Sequence, residues 1–323
     1  MLIFTLIFET ISKEFPAQVD EFLAAEMMIK WFIISVMTTS VNLSIRNATH
    51  ADRYEIANLI HFGVHIHRHL DWKQPLEWVG SQPFLIAEYK GKLIATLACP
   101  PDIPQVAWIR LFAVLSDDSL ESIWKTLWQE SSLWLSKQNE IEWAAAIPLQ
   151  SWFQSLLYGS TFTATNQVVM LRWDVSSPIQ RNSSSSIIIR PMTADDLYKV
   201  AQIDTAAFVP LWQISQVLLE DAFHQAAIAT IAECDGEMVG YQISTVTIDG
   251  GHLARLAVHP LAQKNGVGTA LLRDLLLKFE RRGARILTVN TQSDNLASLS
   301  LYQKAGFRFT GDSYAVCRYA IHA

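Results

Sequence analysis

The segment IRNATHADRYEIANLI (45–60) lines up without a gap against IRPMTADDLYKVAQID (189–204). Identities fall at Ile45/Ile189, Arg46/Arg190, Thr49/Thr193, Asp52/Asp196, Tyr54/Tyr198 and Ala57/Ala201. The same shift of 144 positions places FAV (112–114) on LAV (256–258), Leu127 on Leu271 and Tyr158 on Tyr302. A register held over so long a distance marks a duplicated domain, so the chain is expected to fold as two copies of one plan. Each copy opens with a short strand, a Thr/Asp capping segment and an amphipathic helix.

The second copy makes the plan legible. AIATIAEC (227–234) and MVGYQISTVTI (238–248) read as strands, and Asp235-Gly236 between them is a strong hairpin signal. FLIAEY (84–89), KGK (90–92) and LIATLAC (93–99) repeat that pattern in the first copy. A strand (252–258), a helix (about 268–282), a strand (285–291), a helix (295–305) and a last strand (307–320) follow. This order predicts an α+β fold of mixed layers, each copy a central, mostly antiparallel sheet flanked by helices.

The polar stretch SSPIQRNSSSS (176–186) has a linker's composition and separates a domain at 43–175 from one at 187–323. Ahead of both lies an extension, 1–42. Its apolar runs MLIFTLIF and WFIISVM are shorter than the ~20 residues a membrane-spanning helix needs, and no basic region precedes the first. Two readings stand for it: a real N-terminal helix, or an upstream segment ahead of a start at Met37. Neither predicts a membrane partner. A formal charge of -6 argues against a nucleic-acid binder that relies on a strong basic field. Cys99, Cys234 and Cys317 are too scattered for a disulfide framework or a thiolate zinc site, which fits a reducing, cytoplasmic setting.

QKNGVG (263–268) joins an apolar strand to TALLRDLLLKF, whose leucines recur at helical spacing. Glycines there lower helix stability by roughly 1 kcal/mol each relative to alanine, but they let backbone N–H groups converge on a phosphate at a helix N-terminus. The alternative is a tight turn with glycines for packing. A dinucleotide fingerprint is ruled out because Leu271 stands where a third glycine is needed, and a Walker loop because Gly-Lys-Ser/Thr is missing.

With NLASLSLYQKAGF (295–307), the loop resembles the GNAT superfamily of acetyl-coenzyme A-dependent N-acetyltransferases. The matching positions are Gln263, Gly266 and Gly268, then Asn295, Ser298, Leu301, Tyr302, Gly306 and Phe307. The resemblance covers about 187–320 directly and 43–175 through the repeat. It implies that the amides of Gln263, Lys264, Asn265, Gly266, Val267, Gly268 and Thr269 hold the coenzyme pyrophosphate. It further implies that Leu256, Ala257 and Val258 pair with the pantetheine arm, with the Val258 N–H as oxyanion donor. Tyr302 would protonate the departing thiolate, and Asn295 would contact the pantetheine or fix the helix carrying Tyr302.

The general base is less determined. Ribosomal-protein alanine acetyltransferases, which the C-terminal half resembles, carry a glutamate twelve residues before the tyrosine; here that position is Asn290. Glu233, Asp249 and His252 are the substitutes, with Glu233 placed first because it ends a central strand; its other reading is a structural hairpin carboxylate.

In the first copy the shared register sets Ser119 against Gln263, Ser122 against Gly266, Trp124 against Gly268 and Ser151 against Asn295, while Tyr158 matches Tyr302. A tryptophan ring in place of Gly268 and the carboxylates of SDDSLE (116–121) oppose coenzyme binding there, so this copy is read as degenerate and non-catalytic. Its tryptophans, Trp124, Trp128 and Trp134 among them, are expected to pack a core. HFGVHIHRH (61–69) puts His61 and His65 one helical turn apart, yet lacks acidic or thiol ligands at metal spacing, so no metal is expected. These histidines are placed instead on a polar face near the substrate entrance.

Taken together, the expectation is an N-acetyltransferase transferring acetyl from acetyl-CoA directly to an amine of a small molecule or peptide N-terminus. The two-domain plan also resembles mycothiol synthase. The alternative is a non-catalytic coenzyme A-binding sensor. The tandem copies would make within one chain the contact that single domains make as dimers, or the chain would form a homodimer.

Overall fold

The computed structural model describes residues 43–117, 119–175, 177, 186–247 and 250–322. The extension 1–42, nearly all of the linker 176–186, Asp118 and the candidate base Asp249 lie outside the described residues. No helix among the described residues is long and apolar enough to cross a membrane.

The first copy runs β1 (Ser44–Asn47), α1 (Arg53–Phe62), β2 (His65–Arg68), β3 (Phe84–Tyr89), β4 (Lys92–Ala98), β5 (Val106–Trp108), β6 (Leu111–Val114), α2 (Leu120–Ser136), β7 (Trp143–Ala146), α3 (Ser151–Gly159) and β8 (Thr163–Asp174). The second runs β9 (Ile187–Pro191), α4 (Leu197–Ala207), α5 (Gln216–Gln225), β10 (Ile228–Cys234), β11 (Glu237–Thr247), β12 (Gly250–Val258), α6 (Val267–Arg281), β13 (Ile286–Gln292), α7 (Leu296–Lys304) and β14 (Arg308–Ala320). Asp235 and Gly236 take φ of 53° and 82°, the paired left-handed conformations a two-residue hairpin turn requires.

The repeat that opens each copy builds the same ionic lock twice. Arg190 donates to both oxygens of Asp196 (2.7 Å each) and to Glu233 (2.9 Å), while Arg46 does the same with Asp52 and Glu88. Asp196 also accepts from the Thr193 amide and hydroxyl, closing the turn ahead of α4. The Arg190 hydrogen bonds hold the Asp196 carboxyl down to about 2.

The strands form a five-stranded sheet, β1-β3-β4-β6-β2, and a nine-stranded sheet, β5-β7-β14-β8-β13-β12-β11-β10-β9. The copies exchange their last strands. β8, from the first copy, pairs antiparallel with β13 (Leu287 opposite Trp173, Val289 opposite Leu171), and β14 pairs with β7 (Cys317 opposite Ala146). The two exchanged strands pair with each other at the centre. Leu171 and Trp173, both 0% exposed, therefore sit in the second copy's core with Leu275, Phe279, Leu287, Val289, Tyr302 and Phe307. Burial of that apolar surface, at roughly 25 cal/mol per Å², couples the copies in one folding unit.

Candidate active site

β12 and β13 run parallel and pair only from Gly250–Leu253 to Ile286–Val289, then splay. Beyond the splay the outer edge of β12 has no strand partner among the described residues. Its polarity follows from the antiparallel ladder on its other side. The His259 N–H donates to the Val239 carbonyl (2.8 Å), so Gly240 and Val258 face each other as a non-hydrogen-bonded pair. The Val258 N–H, and by alternation the Leu256 N–H, point outward into the splay. The Val258 carbonyl takes the Gln263 side-chain amide (3.1 Å), which fastens the glycine loop to the end of β12.

In that loop Lys264 and Gly266 are left-handed (φ 64° and 84°), Gly266 being the N-cap of α6. The first intrahelical acceptor is Gly266, bonded by the Ala270 amide (2.9 Å), so the amides of Val267, Gly268 and Thr269 lack helical partners and face the loop. A Cβ on Gly268 would meet Leu301 at 3.3 Å, Val258 at 3.8 Å and Leu256 at 4.0 Å. Any side chain there would enter the channel between β12 and α7.

Tyr302 projects from α7 into the core below the splay, 5% exposed, with its ring 5.7 Å from Phe307. Burial pushes its phenol well above the ordinary value, so the proton stays on at neutral pH. Asn295 is the N-cap of α7: it accepts from the Ser298 amide (3.1 Å) and donates to Gln292 (3.1 Å). It fixes the helix that carries Tyr302.

Leu256, Asn290, Asn295, Ser298 and Tyr302 line one cavity of about 230 Å³. The rest of its wall comes from β12 and β13, from the α4–α5 connection and from the first copy, including Asp71, Asp102, Trp108 and Arg110. Two buried ion pairs brace this wall. Asp204 on α4, 0% exposed, accepts from the Tyr241 hydroxyl and from Arg255, whose Nη2 donates to the Asp204 carboxylate (2.9 Å) and the Trp212 carbonyl (2.7 Å). Arg110 donates to Asp71 (2.7 Å) and lies 4.6 Å over the Trp78 ring.

Glu233 is not brought to this cavity. Its carboxylate is bound by Arg190 at the sheet's far hairpin, where it serves the ionic lock, and it does not line the site. His252 is on β12 with Nδ1 2.9 Å from the Thr288 hydroxyl and is hydrogen-bonded to Asn290; burial lowers its pKa and keeps the ring neutral.

The first copy fills the equivalent channel with its own residues. The outer edge of β6, counterpart of Leu256–Val258, is paired by β2: His65 lies opposite Val114 and His67 opposite Phe112, and the Val64 N–H donates to the Val114 carbonyl (3.0 Å). His67, 4% exposed, stacks on Phe153 at 4.0 Å. Trp124 occupies Gly268's place, buried at 2%, edge-on to Phe112 and Phe153, with its Nε1 donating to Ser160 (2.8 Å). α2 starts at Leu120, three residues earlier in the shared register than α6, so helix replaces the phosphate-type loop.

Two sequence expectations change here. His65 and His67 are not on a helix or loop face but on β2, with His65 contacting Asp117 at 2.6 Å, while His61 is on α1 and His69 follows β2 and lines the cavity. Tyr158 is not the counterpart of Tyr302. The Phe307 amide donates to Tyr302, and the Phe162 amide donates to Leu157, which makes Leu157 the equivalent residue, while Tyr158 is 47% exposed and bonds Gln154. The offset between the copies changes from 144 to 145 ahead of the helix, since α3 (Ser151–Gly159) and α7 (Leu296–Lys304) are 145 positions apart at both ends. Among the described residues no group of three or more His, Cys, Asp or Glu could hold a metal ion.

Residues 197–307 match the family model described as the acetyltransferase (GNAT) family. A [ribosomal protein bS18]-alanine N-acetyltransferase of Escherichia coli (strain K12) is 36% identical over 73 residues, 23% of this chain and 49% of that protein. An uncharacterized N-acetyltransferase of Methanocaldococcus jannaschii is 28% identical over 123 residues, 38% of this chain and 78% of that protein. The chain thus spans about half the length of the alanine acetyltransferase it matches. Among solved structures, a tandem GNAT protein from the clavulanic acid biosynthesis pathway superposes with TM-score 0.60 at 13% identity, covering 87% of this chain and 99% of that one. A GCN5-related N-acetyltransferase from Sphaerobacter thermophilus gives 0.57 at 16% identity, covering 87% and 96%. These structures share the α+β fold of this chain.

Proposed function

We propose that the second copy, whose residues 197–307 match the acetyltransferase (GNAT) family model, transfers an acetyl group from acetyl-coenzyme A to an amine, and that the first copy is a non-catalytic partner that walls the acceptor cavity. The observation that carries this reading is the conjunction, in the second copy only, of an outward-facing Val258 N–H, an uncapped α6 N-terminus behind Gly266 and a buried, protonated Tyr302.

The residues present fit the coenzyme. Unpartnered amides at Val267, Gly268 and Thr269 suit a pyrophosphate, and the outward polar edge at Leu256 and Val258 suits the amide-bearing pantetheine arm. Acetyl-coenzyme A, when bound, supplies a thioester whose C–S bond breaks as the amine nitrogen bonds the acetyl carbon, giving an amide and a thiol. The Val258 N–H is the oxyanion donor, a role worth several kcal/mol when preorganised. Tyr302 holds the proton for the thiolate and Asn295 keeps its helix in place. Asn290, in place of a carboxylate, orients the acceptor nitrogen rather than taking its proton; neutral His252 is hydrogen-bonded to it.

The test is thiol release from acetyl-coenzyme A by the full chain across an amine panel. Amine-dependent release is expected. Coenzyme binding with no release for any amine would replace this reading with that of a coenzyme A sensor.

A further inference from the structure

The carboxylates around the cavity are compensated by cations, with one exception among the described residues. Asp71 is neutralised by Arg110 and Asp204 by Arg255, both pairs buried. Arg68 at the rim is tied to the Ile60 carbonyl (3.1 Å). Asp102 also lines the cavity, and its one hydrogen bond is from the Ser215 amide at the start of α5 (2.8 Å). Among the described residues no cation pairs with it.

The same cavity has an aromatic wall. His69 stacks on Trp108 (4.7 Å between centroids, 25°), and Trp108 meets Trp212 at 5.7 Å. Burial and the nearby Arg110 keep His69 far below its ordinary pKa, hence uncharged. An unpaired carboxylate that lines one cavity with two indole rings suits an ammonium group, which gains from both. At about 230 Å³ the cavity is below the roughly 300–1,000 Å³ of drug-sized sites, which favours a small acceptor over a peptide tail.

We propose that the acceptor is a small diamine: one nitrogen is acetylated at the Asn290 and Tyr302 end, while the second, as ammonium, is held by Asp102 against Trp108 and Trp212. This rests on the acetyltransferase reading above. The acetylated nitrogen becomes a neutral amide and its surplus proton leaves to solvent; the far ammonium keeps its charge throughout.

The experiment compares 1,4-diaminobutane, 1-aminobutane and an alanine-initiated hexapeptide as acceptors for the wild-type full chain, with acetyl-coenzyme A binding measured separately by calorimetry. Diaminobutane is expected to exceed aminobutane in kcat/KM on the order of 10–100-fold, the value of a hydrogen bond to a charged group. Asp102→Asn should collapse that ratio toward one through KM. Equal rates for the two amines, or preference for the hexapeptide, would overturn the diamine assignment and leave the acetyltransferase reading standing. Failure to bind acetyl-coenzyme A would instead remove the parent reading.

Discussion

Leu157 and Tyr302 hold the same place in the two copies, each receiving the amide of a phenylalanine just beyond its helix, Phe162 and Phe307. Only the second copy presents a phenol there. Tyr302→Phe should therefore lower kcat by roughly 10²–10⁴, the usual range for general-acid catalysis, while acetyl-coenzyme A binding persists. Steady-state kinetics with calorimetry checks this; wild-type turnover in the variant would remove Tyr302 from the chemistry.

The exchanged strands make the copies interdependent. Trp173 lies in the second copy's core although the first copy contributes it, so Trp173→Ala should cost roughly 3–5 kcal/mol. A fragment spanning 187–323 should not fold alone, because β13 loses its β8 neighbour. Urea unfolding of the variant and circular dichroism of the fragment read the two effects. A cooperatively folded fragment would contradict the account.

Asp204 is the hinge of the acceptor wall, holding Arg255 and through it the Trp212 carbonyl. Asp204→Asn leaves a buried guanidinium uncompensated, a loss of about 3–5 kcal/mol. It should also raise the acceptor KM more than it lowers kcat, because Trp212 loses its anchor. Thermal unfolding and acceptor kinetics together check this.

His67 seals the first copy's channel, and burial lowers its pKa to about 4. Its folded-state value is below the unfolded one, so the unfolded chain binds the extra proton first. Stability should thus be intact above pH 6.5, fall as pH drops toward about 4, and lose no more to this group below that. The integrated loss is on the order of 3 kcal/mol. His67→Leu should flatten the slope of denaturation free energy between pH 6.5 and 4; an unchanged slope would show that another group carries it.

Much of this architecture was legible in the sequence. The 45–60 and 189–204 repeat foretold the paired strand, Thr/Asp capped turn and helix, while the arginine ion pairs that lock each turn to the neighbouring hairpin came only with the structure. The glycine loop and Tyr302 were equally readable, since local backbone demands and a motif on one helix are written in adjacent residues. The strand exchange was not: β8 and β14 have the same alternating pattern whichever copy they join, and partner choice depends on complementarity between distant faces. Nor was β2, four residues long, whose histidines masked a strand that fills a channel. The wall of Asp102, Trp108 and Arg110 belongs to the other copy and exists only once the copies meet.

Trp124 and Gly268 provide the most direct test. Calorimetric titration of acetyl-coenzyme A into the wild-type chain and into Gly268→Trp, which copies the first copy's filled channel, should give one site per chain in the former and none in the latter. Two sites in the wild type, or undiminished binding in Gly268→Trp, would contradict the assignment of the coenzyme to the second copy alone.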